Sequence, residues 1–451
     1  MASNNFYDVT EWNVGNPYED IGEVINSIIA DIKSRQTETD RNEKGKPGAV
    51  IYIPSGDYHL RTQVVIDISY LKIKGSGHGF TSSSIRFNTP ESDLAHWHEV
   101  WPGGSRILVD LSPKAGDEEC AGAAFYVKRD GDPRISSVEF ENFCIDGLHF
   151  VDDGSGNDDP ENTYMNGKTG IYIACPHDSF RINGMGIVYL EHGVTIYNAD
   201  ALSIHDNFIA ECGNCIELRG WGQASKITDN LIGAGYKGYS IFAQNFGALL
   251  ITANNVFPRG SSSVHFDNVT RSSVTSNRFH SFYPGMLVFE GNCSENLVSS
   301  NHFLRDHEPW PPMQANDNGL DDLYGLLRIS GNHNSVVANH ISETIDTQYI
   351  KPSDAVPVII HVVSGKGNYI SNNHIVATIA APEVEAVETG SCFSMQVEAL
   401  LTTKESETLN VINVLVEKES VQNTILDMGN DTQVVMDRAV NAFRATPEIG
   451  V

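Results

Sequence analysis

The chain has 451 residues, with 30 Lys and Arg against 58 Asp and Glu, so its formal charge is −28. A charge of this sign repels polyanions and argues against DNA, RNA or an anionic bilayer as a partner. Hydrophobic residues make up 40% and charged residues 20%, which predicts a folded protein with a large core.

Residues 1–45 are expected to form an N-terminal segment with a capping helix. Over residues 21–35, Ile and Val recur at helical spacing, which predicts an amphipathic helix that covers an open end of the fold. The first residues form neither a basic nor an apolar signal region, and seven scattered cysteines favour a reducing compartment. We therefore expect a cytoplasmic protein, or a secreted one if a leader precedes this sequence.

Residues 46–380 are expected to form one repetitive domain. From Asn183 to Asn373 they repeat one short pattern: an aliphatic residue, two small or polar residues, an Asn, any residue and an apolar residue. The steps from Asn183 to Asn301 are 24, 23, 24, 23 and 24 residues. The copies contain Asn183, Asn207, Asn230, Asn254, Asn277, Asn301, Asn339 and Asn373. A period of this length is typical of a solenoid, a propeller or an array.

The content of each repeat selects among these architectures. About ten residues after the Asn, every copy has a second alternation of apolar residues with period 2, which predicts strands. One period has room for three short strands and their turns but not for a crossover helix. The sequence therefore predicts an all-β, single-stranded parallel β-helix in which inward Asn side chains form a hydrogen-bonded column along the axis.

Residues 381–451 lose this period. Apolar alternations there are flanked by acidic and Ser/Thr runs, and we expect a C-terminal extension that caps the helix, pairs with another subunit or covers a site as a lid.

Two carboxylates stand out in the coil that begins at Ile204. Asp206 adjoins the inward Asn207, and Glu217 lies between apolar residues, so both are expected to face solvent from one wall of the coil. Such residues are often only solvated. A carboxylate pair is nevertheless what glycosyl transfer requires, with one acid and one nucleophile or base, and Glu217 is our choice for the proton donor. His205 is expected to pack inward.

Sugar binding would add aromatic faces and polar rims to this pair. We expect such contacts from Trp97, Trp101, Trp221, Trp310 and Arg219, although the tryptophans are equally suited to plugging the solenoid or packing subunits.

No metal and no cofactor are predicted. Cys212 and Cys215 have CxxC spacing but no second pair of ligands. The acidic stretch 152–159 lacks the Gly and the closing carboxylate of a calcium loop and is expected to be a surface loop.

Three stretches, Ala199–Leu218, Phe282–Leu287 and Gly319–Gly325, resemble the inulin fructotransferase and difructose dianhydride III hydrolase family. The resemblance extends over about residues 5–380. It implies a right-handed parallel β-helix, a homotrimer and active sites in the clefts between subunits. It also implies that the family's two essential carboxylates fall on Asp206 and Glu217.

Two activities compete within this family. Hydrolases open the cyclic dianhydride to inulobiose, whereas transferases cut inulin and close its terminal disaccharide into the dianhydride. The expected cytoplasmic location and the long segment 382–420, which suits a lid over a small substrate, favour the hydrolase. A pectate-lyase-like β-helix and a non-catalytic glycan-binding β-helix are the remote alternatives, and the net charge is poorly suited to a polyanionic substrate.

Overall fold

The structure is a computed structural model. It describes residues 5–35, 48–79, 103–114, 116–131, 133–147, 165–234, 238–257, 262–306, 318–345, 357–379, 412–417, 419–427 and 442–445. The chain divides into two compact units, residues 1–238 and 239–451.

The predicted N-terminal helix is confirmed and runs over Pro17–Arg35, with a non-helical backbone at Asp20. The Asp20 carboxylate accepts hydrogen bonds from the backbone N–H groups of Gly22 and Thr62, as an N-terminal cap does. Tyr18 stacks on Tyr58 with 5.1 Å between ring centroids. The isoleucines of the apolar stripe are buried, so the helix covers this end of the first unit as expected.

The first unit consists of parallel strands that stack coil upon coil. Sheet A contains Phe6–Asp8, Ala49–Ile53, Leu71–Gly75, Glu139–Glu141, Arg181–Asn183, Ser203–His205 and Lys226–Thr228. Sheet B contains Gly56–Leu60, Ser105–Val109, Cys144–Asp146, Gly186–Val188, Phe208–Cys212 and Leu231–Ala234. Sheet C contains Val64–Ile66, Ala123–Val127, Thr169–Ile173, His192–Tyr197 and Asn214–Arg219, and the short sheet D contains Ile135–Ser136, His177–Asp178, Ala199–Asp200 and Gly222–Gln223. A short 3-10 helix covers Glu119–Gly122.

The second unit has the same organisation. Its sheet E contains Leu250–Thr252, Ser273–Thr275, Leu297–Ser299, Ser335–Val337, Tyr369–Ser371, Thr424–Asp427 and Ala442–Ala445. Sheet F contains Asn255–Val256, Arg278–Ser281, His302–Asp306, His340–Ile345 and His374–Ile379. Sheet G contains Tyr239–Gln244, Ser262–Asp267, Leu287–Glu290, Leu327–Ile329, Val358–Val362 and Ile412–Val416, and the remaining strands are Phe246–Gly247, Gly365–Lys366 and Ser420–Val421. A 3-10 helix covers Asp322–Tyr324.

The predicted parallel β-helix is therefore confirmed, and its strands do not stop at residue 380. Ile412–Val416 pairs with Val358–Val362, and Thr424–Asp427 pairs with Tyr369–Ser371. These strands carry the same apolar alternation as the earlier coils, which is why they continue the ladders. Residues 382–411 of the expected extension lie outside the described residues.

The predicted Asn columns are present inside the coils. Asn207 donates its side-chain amide to Asn230 at 2.9 Å in the first unit. In the second unit, Asn277 accepts from Asn254 and donates to Asn301, both at 3.0 Å. The column continues through Asn339 and Asn373. Each amide hydrogen-bonds along the axis, so a polar side chain is accommodated in a dry interior.

One assignment within this column was wrong. Asn183 pairs in register with His205, not with Asn207. The position level with Asn207 belongs to Met185, whose backbone N–H donates to the Asn207 side chain at 3.0 Å. This earlier coil is two residues shorter than the repeat, so counting back 24 residues reached the wrong position.

The turn before each column Asn has a left-handed backbone. From Asp206 to Asn372 the residues at this position have φ between 55° and 58°. They are Asp206, Asp229, Ala253, Ser276, Ser300, Ala338 and Asn372. A left-handed residue breaks the strict alternation of a strand, so two consecutive side chains face outward between two inward ones.

In the part of the chain that the structure describes, no helix is long and apolar enough to cross a membrane.

Candidate active site

Glu217 lies in the middle of strand Asn214–Arg219 of sheet C. Its neighbours Ile216 and Leu218 are fully buried in the core, so the Glu217 side chain leaves the opposite face, as the alternation predicted. The expectation that it meets solvent was wrong, because the Glu217 side chain is 0% exposed. Polar side chains from two adjacent strands enclose it.

These side chains bind both carboxylate oxygens of Glu217. His192 Nδ1 lies 2.5 Å from Oε2, and Thr195 donates its hydroxyl to the same oxygen at 3.2 Å. The guanidinium of Arg219 contacts Oε1. A buried carboxylate is stable only with such charged and hydrogen-bonding partners.

The partners set the protonation state of the cluster. Burial alone would raise the pKa of Glu217, but the hydrogen bond and charge of His192, together with Arg219, outweigh it and lower this pKa. Burial likewise opposes protonation of His192, yet the hydrogen bond and charge of Glu217 raise its pKa. Glu217 and His192 therefore stabilise each other's charged forms, and the Arg219 guanidinium further stabilises the Glu217 carboxylate.

Asp206 has a contrasting environment. It follows strand Ser203–His205 at the left-handed turn, and 68% of its side chain is exposed. Its partner is His205, whose Nδ1 lies 2.8 Å from Oδ2. The inward packing expected for His205 was wrong, because the turn directs both His205 and Asp206 outward between the buried Ile204 and Asn207.

An open groove of about 270 Å³ lies beside this pair on sheet A. It is lined by Ser179, Arg181, Ala201, Ser203, His205 and Lys226. Its basic and hydroxyl side chains suit the oxygen atoms of a sugar. Asp206 does not line the groove but contacts His205, which does.

The two carboxylates do not share one wall of the coil. Asp206 ends a strand of sheet A, Glu217 belongs to sheet C, and the whole strand Phe208–Cys212 of sheet B separates them along the chain. The hydrogen-bond partners of Asp206 and Glu217 do not overlap. The expectation failed because the chain changes sheet twice between the two residues, from sheet A to sheet B after the turn at Asp206 and from sheet B to sheet C at Gly213.

A row of tyrosines continues along the outer face of sheet C from the Glu217 cluster. Tyr172 and Tyr197 both donate their hydroxyls to Glu119 Oε2 at 3.1 Å. Tyr172 also lies level with Thr195, which in turn lies level with Glu217. Sequence reasoning missed this row and His192, although aligning the strands of neighbouring coils would have placed them in register with Glu217.

Among the tryptophans expected near a sugar, only Trp221 belongs to the described residues. It is 42% exposed, and the Arg134 guanidinium lies 5.7 Å from its ring centroid. Trp97, Trp101 and Trp310, and the acidic stretch 152–159, lie outside the described residues.

Cys212 and Cys215 are completely buried, and burial together with Cys212 raises the pKa of the Cys215 thiol. Thiols in this state are poor metal ligands. In the described ranges, no group of three or more His, Cys, Asp or Glu is placed to hold a metal ion.

The stacked parallel coils make this a β-helix protein. Its candidate active site contains two carboxylates, the buried Glu217 and the exposed Asp206. Two family models match the chain: "Beta helix repeat of Inulin fructotransferase" over residues 300–447 and "Periplasmic copper-binding protein (NosD)" over residues 141–319.

Individual relatives cover nearly the whole chain. An inulin fructotransferase of Arthrobacter globiformis described as DFA-I-forming is 44% identical over 385 residues, which are 84% of this chain and 91% of that protein. The DFA-IIIase of Arthrobacter chlorophenolicus A6 in complex with DFA-III is 67% identical, with a TM-score of 0.89 over 99% of this chain and 100% of that one. The same enzyme without its lid, in complex with GF2, is 64% identical, with a TM-score of 0.85 over 99% of this chain and 100% of that one.

The chain belongs to the inulin fructotransferase and DFA-IIIase family, and it is an enzyme. This confirms the resemblance found in the sequence.

Proposed function

We propose that the protein is a glycoside hydrolase that opens difructose dianhydride III with water and releases inulobiose. The observation that carries this proposal is the 67% identity, over 99% of the chain, to a DFA-IIIase that binds DFA-III. The pectate-lyase-like and non-catalytic alternatives are not retained, because the relatives are enzymes of fructan chemistry.

The environments of the two carboxylates support separate roles in cleaving the bond at the anomeric C2. Glu217 is held ionised by His192 and Arg219, so it suits the nucleophile or the base that activates water. Asp206 then protonates the departing oxygen from its position beside His205. This assignment reverses the choice of Glu217 as proton donor, because a carboxyl group with a lowered pKa is ionised near neutral pH and has no proton to donate.

Arg219, Trp221 and the tyrosine row are proposed to contact the sugar. Arg219 and Tyr197 are side by side in the ladder next to Glu217, and both present polar groups on the outer face of sheet C. Trp221 offers an exposed aromatic face two residues further along the chain.

We further propose a cytoplasmic homotrimer with active sites between subunits. The separation of Asp206 and Glu217 onto different sheets supports this arrangement, because a neighbouring subunit can bring its Asp206 to the Glu217 of the first. We also propose a lid formed by the part of segment 382–420 that precedes Ile412, because strand Ile412–Val416 pairs with Val358–Val362 in the β-helix and is not free to act as a lid. The lid is supported by the A. chlorophenolicus enzyme, which has been solved without its lid.

The second candidate function is an inulin fructotransferase. It is favoured by the 44% identity to the A. globiformis enzyme. Both reactions cleave at C2 and differ only in the acceptor, which is water in one and a sugar hydroxyl in the other.

Product analysis with each substrate given separately distinguishes the two functions. The hydrolase converts the cyclic dianhydride to inulobiose and leaves inulin intact. Release of a dianhydride from inulin without hydrolysis of the dianhydride would replace this proposal with the transferase.

A further inference from the structure

Three histidines form a column on sheet F of the second unit, and none of them is assigned to the active site. His302, His340 and His374 each begin a strand and pair in register with one another. Their ring centroids are 5.0 and 4.9 Å apart. The residues that follow His302 and His340 are buried in the core, so the imidazoles lie on the outer face of the sheet, and those of His340 and His374 are exposed.

Two of these rings present the same nitrogen to each other. His340 Nδ1 and His374 Nδ1 are 3.1 Å apart. Two imidazole nitrogens bound to one ion at roughly 2.0–2.1 Å are separated by about 2.9 Å at a right angle and by about 3.4 Å at a tetrahedral angle. In the structure this contact is a hydrogen bond between the two rings. The observed separation lies between the two values for a bound ion, so an ion can replace the shared proton with the same N–N separation once His374 carries its proton on Nε2.

The other nitrogen of His340 is already engaged. Its Nε2 lies 3.0 Å from the hydroxyl of Ser342, which lies two residues along the same strand. A proton held on Nε2 by this hydroxyl leaves the lone pair on Nδ1, which is the arrangement that metal-binding histidines use.

We propose that His340 and His374 together bind one first-row transition-metal dication, Cu²⁺, Ni²⁺ or Zn²⁺, with water completing the coordination. Imidazole ligands select these ions over Mg²⁺ and Ca²⁺, and the expected order of affinity places Cu²⁺ first. The ion connects strands His340–Ile345 and His374–Ile379, and it binds the native state because only folding brings the two strands into register. It therefore stabilises this end of sheet F.

The proposal is tested by titrating the metal-free, full-length protein with Ni²⁺ and Zn²⁺ in a calorimeter while thermal unfolding is followed in parallel. We expect binding of one ion and a rise in Tm. His340→Ala and His374→Ala should each lower the affinity at least tenfold and abolish the rise in Tm. Ser342→Ala should lower the affinity by about tenfold, because it removes the support of the first ligand.

His59→Asn is the matched control, since it removes a half-exposed histidine from the first unit and should leave metal binding unchanged. Hydrolysis of the dianhydride by the His340 and His374 variants should also equal that of the wild type, which shows that the variants are folded. With Cu²⁺, electron paramagnetic resonance should report two bound nitrogens in the wild type and one in each variant. Affinities of His340→Ala and His374→Ala equal to that of the wild type, or no binding by the wild type, would overturn the proposal.

Discussion

Glu217 and Asp206 belong to one coil, yet they occupy opposite kinds of environment. Glu217 is fully enclosed between a histidine, an arginine and a threonine, whereas Asp206 is mostly exposed and has one partner. The alternation of its strand places Glu217 outside the apolar core, and the left-handed turn does the same for Asp206. What differs is the packing of the adjacent coil, because strand His192–Tyr197 supplies the side chains that cover Glu217.

This difference shows that outward direction and solvent exposure are separate properties in a β-helix. A side chain on the outer face is desolvated when the coils beside it carry polar partners that reach over it. The partners of the buried Glu217 stabilise its ionised form. The exposed Asp206 can exchange protons with solvent and can contact a neighbouring molecule. Four predictions test this division of roles.

The largest effect on turnover is expected from Glu217→Gln. The change removes the ionised carboxylate while preserving the shape of the side chain, and hydrolysis should fall about 10³-fold. The rate is measured as inulobiose formed from the dianhydride. Glu295→Gln, which changes an exposed glutamate paired with Arg271, is the control and should retain full activity.

A mixing experiment sharpens the comparison. Asp206→Asn alone should also lower the rate, by about 10²-fold, with the assembly intact. If each site takes Asp206 from one subunit and Glu217 from the next, trimers reassembled from equal amounts of the two inactive variants should regain about a quarter of wild-type activity. No recovery after verified subunit exchange would mean that both carboxylates act within one chain.

A smaller effect is expected from His192→Gln, which removes the cation that holds the Glu217 pKa low. The pKa of Glu217 should rise, so the acid limb of the pH–rate profile should move to higher pH by about one unit. The control is His280→Gln, which alters a histidine paired with Asp306 at 2.7 Å in the second unit and should leave the profile unchanged.

The His192–Glu217 pair also makes the free energy of unfolding depend on pH. The pKa of His192 is raised in the folded protein, so its stabilising contribution is complete below pH 6.5 and is lost as the pH rises through the raised value. The difference in unfolding free energy between wild type and His192→Gln should therefore shrink in alkaline buffer. Denaturant unfolding at several pH values measures it.

The smallest effect on turnover is expected in the Asn column. Asn277→Ala leaves buried partners unsatisfied on both sides and should cost about 1–3 kcal/mol of stability with little change in the rate per folded molecule. Asn292→Ala, at an exposed position, should be neutral. A large loss of activity in folded Asn277→Ala would mean that the column also shapes the site.

The sequence was sufficient for the coils and for the helical cap. The Asn period predicted a stacked parallel fold, because a polar side chain at a fixed spacing is satisfied only by its own repeat above and below. The family motif then selected Asp206 and Glu217 among many acids.

The sequence was insufficient for the surroundings of these residues. His192 and Thr195 approach Glu217 from the previous coil, so their proximity depends on a register that one coil alone does not contain. His205 was misplaced because a strict alternation was extended through a left-handed turn. The Asn183 error has the same origin, since one shorter coil shifts every position counted across it.

The left-handed turn has an evolutionary consequence. The fold requires a backbone angle there, not a particular side chain, and Asp, Ala, Ser and Asn all occupy the position at a cost of about 1–2 kcal/mol each. The side chain at the left-handed turn of any coil can therefore be replaced while the interior column of asparagines stays unchanged. Asp206 occupies one of these turns. At each of the other turns, a second reactive side chain can arise by mutation without a change of fold.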